Sequence, residues 1–246
     1  MIPRPVPRQV PVAAPSRVHQ RLLDAADGPR EVLHASATAI YVDLDGWCLG
    51  LVSATATRVP CALWSTLPDL TPYARSAVAV RDGSLHVGRD RMRVTRLSDP
   101  RSTAVGRHEP SASAVPMTSA FDLPADGRLT AVHLDRLLGR GPGLTPLGDD
   151  VLAGWFTTRA ALGAPDASLA GAVRRRLGVT TLLSATLLDC AIRGEALPQL
   201  TAWLADPSPA TRRALLAVGA TSGAGLLTGA SLALASVSTD IPGRAA

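Results

Sequence analysis

The sequence predicts an α+β protein, with a β-rich N-terminal domain followed by a mostly helical C-terminal domain built round a buried central helix. Two observations carry this. Over residues 33–97 apolar side chains alternate with polar ones, as on half-buried strands, and beyond residue 128 they recur every three to four positions, as on helices. A third observation separates the halves. Residues 99–128 hold Pro100, Pro110, Pro116 and Pro124 among serines and glycines, a stretch that cannot sustain regular structure and reads as a connection. The expected organisation is a flexible Pro-rich arm at 1–15, a β-rich domain at 16–98, the connection at 99–128 and a helical domain at 129–240.

Taken in order, residues 16–26 read as one short helix. Ile40, Val42 and Leu44 alternate up to the Asp45-Gly46 turn, and Trp47, Leu49 and Leu51 alternate after it, which is a hairpin. A second hairpin spans 77–87 round Asp82-Gly83-Ser84, and residues 91–97 alternate once more with Met92 and Val94 inward. In the second half, helices are expected over 130–138, 146–162, 168–176, 180–193, 197–205, 209–218 and 222–237, several closed by glycine. Residues 180–188 are apolar on all sides, so this stretch is expected to be the buried centre.

Composition narrows the function classes. Apolar residues make up 46% and charged residues 18%, which is the balance of a chain that buries a core. The net charge of +5 comes entirely from arginine, since the sequence has no lysine. It is spread evenly: 15 basic and 12 acidic residues up to position 128, 10 and 8 after it. A nucleic-acid surface would concentrate it in a stripe, so no nucleic-acid partner is expected. Arg89, Arg91, Arg93 and Arg96 alternate as on a strand, and Arg174 to Arg176 read as a solvated helix face. The absence of lysine removes Schiff-base chemistry and a Walker-type phosphate lysine. Cys48, Cys61 and Cys190 are unclustered and read as reduced thiols of a cytoplasmic protein. His19, His34, His86, His108 and His133 are scattered, with no nucleophile–histidine arrangement, so a covalent mechanism is not expected. Residues 215–237 carry no charge but are broken by glycine, serine and threonine, and read as packed helical pieces with no membrane span.

The strongest local signal is the run Gly139-Arg140-Gly141-Pro142-Gly143-Leu144-Thr145-Pro146-Leu147-Gly148-Asp149-Asp150. Its glycines allow close backbone approach, and Thr145-Pro146 reads as a helix start whose N–H groups and dipole suit an anion. The bland role of Asp149 and Asp150 is to offset that dipole; their functional role is to meet a ligand that has both anionic and amide ends, or to hold Mg²⁺. Adjacent helical residues diverge by about 100°, so only one is expected to reach the site. Two further hydroxyl-bearing helix starts accompany this one: Thr180 and Thr181, with Ser184 one turn on, and Thr221, Ser222 and Gly223. Hydroxyls at such positions ordinarily cap, but three in one small helical half point to N-termini that converge. The substrate- or anion-binding set is therefore Gly141, Gly143, Thr145, Gly148, Thr180, Thr181, Ser184, Thr221, Ser222 and Gly223, with Asp149 and Asp150 as the catalytic carboxylates.

The order of these blocks, Gly-Pro-Gly-Leu-Thr-Pro-x-Gly-Asp-Asp, then Thr-Thr-x-x-Ser, then Gly-x-Thr-Ser-Gly, resembles the AllH-like family, typified by the small subunit of oxamate carbamoyltransferase. The resemblance covers residues 133–235. It implies a carbamoyltransferase-type transferase subunit in allantoin and purine breakdown, acting on a small carboxylate or carbamoyl substrate with phosphate and working with other enzyme subunits. The cofactor stays open, with Mg²⁺ at Asp149 and Asp150 as the candidate that the residues themselves offer. The chain departs from the family pattern at Leu147, where serine is expected, and at Ala220, where histidine is expected. Two other readings stay open: a non-catalytic binding or scaffold subunit, and a diverged stand-alone enzyme acting on another substrate.

Overall fold

The structure, a computed structural model, describes residues 8–102, 105–106 and 121–238. The chain divides into two compact units, Met1–Asp99 and Pro100–Ala246. Most of the 99–128 connection lies outside the described residues, as do positions 1–7 of the expected arm and 239–240 at the end of the helical domain.

The first unit is a nine-stranded sheet with one helix. Its strands are β1 (Gln9–Pro15), β2 (Gly28–Arg30), β3 (Val32–Ala35), β4 (Ala39–Asp43), β5 (Cys48–Val52), β6 (Ala62–Ser65), β7 (Val78–Arg81), β8 (Ser84–Val87) and β9 (Asp90–Ser98), with α1 at Ser16–Asp24. Their order across the sheet is β2-β7-β8-β9-β1-β6-β5-β4-β3. The two edge strands, β2 and β3, are separated in the chain only by Glu31. The edges must therefore lie side by side, and the sheet curls until it is nearly closed. Both expected hairpins use turns with two positive-φ residues, Asp45 and Gly46 between β4 and β5 and Asp82 and Gly83 between β7 and β8. That is the mirror-image turn that matches the twist of the strands. Val10, Val12, Ile40, Leu49, Leu51, Leu63, Val80, Leu85 and Met92 are fully buried, and α1 adds Val18 and Leu22.

The expected flexible arm is corrected over Gln9–Pro15. This segment is β1, an interior strand paired parallel to β9 and antiparallel to β6. Its prolines are tolerated because the Arg8 carbonyl accepts from the Arg91 N–H, so Val10 and Val12 bond toward β9 and the Pro11 nitrogen faces β6, which pairs only at Val12 and Ala13.

The second unit contains α2 (Ala131–Leu137), α3 (Leu147–Ala161), α4 (Ala167–Arg174), α5 (Leu182–Ile192), α6 (Pro198–Ala205), α7 (Pro209–Leu216) and α8 (Ser222–Ser238). Its buried central helix is α3, where every residue from Leu147 to Thr158 is buried, whereas the sequence pointed to residues 180–188. That stretch became α5, which packs on one flank of α3. The correction has a simple cause: α3 buries Asp149, Asp150, Thr157 and Thr158, so its polar residues disguise a helix surrounded by neighbours. On another face of α3, α8 crosses it with backbone against backbone. A Cβ built on Gly154 would lie 2.1 Å from the Leu226 carbonyl oxygen, and one on Gly229 would lie 1.8 Å from that of Val151. Only glycine permits that approach. Among the described residues no helix is long and apolar enough to cross a membrane.

Candidate functional site

The starts of α3, α5 and α8 meet round the turn that precedes α3. The Thr145 and Ser222 hydroxyls hydrogen-bond each other at 2.9 Å, joining the starts of α3 and α8. The Thr181 hydroxyl donates to the Leu144 carbonyl and accepts from the Ser184 N–H, joining the α5 start to the same turn. Residues separated by 77 positions in one case and 37 in the other are thus neighbours.

Within this arrangement the two adjacent aspartates have different surroundings. Asp149, 1% exposed, has both oxygens filled. The Gly139 N–H donates to Oδ1 at 2.7 Å, and the Thr180 and Ser184 hydroxyls donate to Oδ2. Its carboxylate ties the turn, α3 and the α5 start together. Asp150 is 6% exposed, and its Oδ2 has no hydrogen-bond partner. Burial pushes its carboxyl up from 3.8 to about 7; the Ser222 and Thr145 hydroxyls pull it down and the charge of Asp149 adds to the rise. A buried oxygen without a partner is uncommon in a folded protein, and a carboxyl poised near neutrality can accept or return a proton.

The remaining expected residues sort by what surrounds them. Gly148 is held against the Leu137 carbonyl, where a Cβ would lie 2.0 Å away, and Gly223 likewise against that of Leu215. Gly141 covers the start of α3, its Cβ position 2.7 Å from the Leu147 nitrogen. Gly143 (φ +94°) is exposed, with nothing within 4 Å of its Cβ position. Thr221 is exposed, and its carbonyl accepts from the Gly225 N–H.

The first-turn N–H groups of α3 are largely committed. Gly148 donates to the Arg140 carbonyl, and Asp149 and Asp150 both donate to that of Pro146. Arg140 is exposed, and its Nε donates to the Asp135 carbonyl. With the oxygens of Asp149 filled by protein donors, Asp150 alone of the pair keeps an oxygen for a ligand or for Mg²⁺. Among the described residues no group of three or more His, Cys, Asp or Glu side chains could hold a metal ion.

Two participants were missed in the sequence. Gly139, which opens the glycine-rich run but was not among the expected site residues, supplies a donor to Asp149. Gly225 packs directly on Asp150, where a Cβ would lie 2.7 Å from that of the aspartate and 3.0 Å from Leu147 Cδ1. The signal for Gly225 was its place one helical turn beyond Thr221, legible only once α8 was known to cross α3. Elsewhere in the unit, Arg174 and Arg193 pair with Asp189, and Arg176 with Asp135, as suits a solvated face.

Residues 137–234 match the family model described as oxamate carbamoyltransferase subunit AllH. The matched stretch includes all twelve expected site residues and every group round Asp149 and Asp150. No curated protein and no solved structure matches the chain.

Proposed function

We propose that this chain is a subunit of an enzyme of carbamoyl or related carboxylate–amide metabolism, resembling the oxamate carbamoyltransferase subunit whose family model its helical unit matches. The observation that carries this reading is the unpartnered, buried Oδ2 of Asp150, whose carboxyl feels the Thr145 and Ser222 hydroxyls, at the place where three helix starts meet. Moving a carbamoyl group requires that an amide nitrogen be oriented and a proton exchanged as the carbonyl carbon changes partners. Asp150 suits both tasks, because its carboxyl sits near 7 and has capacity left to bind. Asp149 is a positioning residue that fixes the turn and the α5 start, and Thr145 and Ser222 are the hydroxyls that flank the ligand.

A family described as a subunit supports a requirement for partner chains. The purified chain alone is expected to show little transfer of a carbamoyl group from carbamoyl phosphate to the oxamate nitrogen, with release of phosphate, and to gain it when the other subunits are added. Robust transfer by the isolated chain would overturn the subunit reading and leave a stand-alone enzyme. Failure of Asp150→Asn to lower transfer by at least tenfold in the assembled enzyme would remove Asp150 from the chemistry.

A further inference from the structure

We infer that the Asp150 cluster takes the uncharged, N–H-bearing end of the substrate, a primary amide or carbamoyl group, and that phosphate is held elsewhere in the assembled enzyme. This deepens the functional reading above and rests on it.

A helix start preceded by glycines ordinarily suggests an anion site, but the hydrogen bonds round α3 argue against one. An anion at that start would need free N–H groups. Gly148, Asp149 and Asp150 have already given theirs to the carbonyls of Arg140 and Pro146, and the Leu147 nitrogen lies under Gly141. An anion would also need a cation, and among the described residues the charged side chain that acts on Asp150 is Asp149, a second carboxylate. The one arginine in the turn, Arg140, is exposed and directed to Asp135. Phosphate here would face two carboxylates in a desolvated setting, and no arginine among the described residues is shown to offset them.

A primary amide meets none of these obstacles. Its N–H can donate to the unpartnered Oδ2 of Asp150, and its carbonyl can accept from the Thr145 or Ser222 hydroxyl in exchange for a bond that hydroxyl now makes within the cluster. The amide also tolerates either protonation state of Asp150. An ionised carboxylate accepts from its N–H, and a protonated one can donate to its carbonyl.

The test compares ligands of one size and opposite chemistry at the amide end. Calorimetric titration of the full-length chain with oxamate is set beside titration with oxalate, in which a carboxylate replaces the amide, and with inorganic phosphate. Oxamate is expected to bind at least tenfold more tightly than oxalate, and a large excess of phosphate is expected to leave the oxamate isotherm unchanged. Asp150→Asn should erase the preference for oxamate while keeping a wild-type thermal midpoint or a higher one. Oxalate binding as tightly as oxamate, or phosphate competing with it, would overturn this inference and leave the Asp150 reading standing. No oxamate binding, or binding indifferent to Asp150→Asn, would overturn the functional reading and this inference together.

Discussion

Replacing each of the two adjacent aspartates by asparagine should shift stability in opposite directions, and the structure gives the sizes. Asp149 accepts from the Gly139 N–H and from the Thr180 and Ser184 hydroxyls. Asparagine keeps one acceptor oxygen and turns an NH₂ group toward at least one of these donors. A buried donor left unsatisfied costs about 1–3 kcal/mol, and the charge-assisted strength of the remaining bonds is lost as well. Asp149→Asn should therefore destabilise the helical unit by roughly 2–4 kcal/mol. At Asp150 the unpartnered Oδ2 loses nothing, and the substitution removes a charge that burial disfavours. Because its carboxyl is raised from 3.8 to about 7, the folded chain binds a proton more tightly than the unfolded one. Stability from this group is thus fully present below about pH 4, is lost as pH rises toward 7, and is flat above that. The full shift corresponds to roughly 4 kcal/mol, and the dipole of α3, in whose first turn Asp150 lies, reduces it, so Asp150→Asn should stabilise the unit at pH 8 by on the order of 2–4 kcal/mol. At pH 4 the two chains should be equal. Hydrogen exchange of the α3 amides under graded urea, at pH 8 and pH 4, reports this unit without the other. Destabilisation by Asp150→Asn at pH 8, or no effect of Asp149→Asn, would refute the assignment of clamp to one carboxyl and free group to the other.

Two further outcomes test the packing round the site. Gly229→Ala should cost about 3 kcal/mol in urea denaturation, because its Cβ would stand 1.8 Å from the Val151 carbonyl oxygen and force α8 off α3; a loss under about 1 kcal/mol would show that the two backbones can part cheaply. Gly143→Ala has open space round it but a φ of +94°, so it should cost about 1–2 kcal/mol of stability through strain and leave oxamate affinity within about twofold, whereas a tenfold loss of affinity would put the 141–144 turn in contact with ligand.

Much of this protein was legible in the sequence where local rules dominate. Asp45-Gly46 and Asp82-Gly83 specify their hairpins because few residues accept two successive positive φ values. The helices from α2 to α8 begin and end within about two residues of the expected positions, since caps, prolines and glycines act over one turn. β1 was not legible. A strand containing Pro11 and Pro15 looks like an arm until its two neighbours, one of them more than 75 residues ahead, are known. The same holds for α3, whose buried polar residues hide its central place from any reading of hydrophobic period.

The sequence by itself also determined which turns carry glycines, hydroxyls and carboxylates, and that three helix starts have this character. It could not assign different parts to Asp149 and Asp150, which are chemically identical neighbours in one helical turn. That was decided by Thr180 and Ser184, 31 and 35 residues away, and by the way α8 brings Ser222 and Gly225 against α3. A carboxylate's role depends on how many donors surround it and how much water they exclude, and both are properties of packing between distant segments.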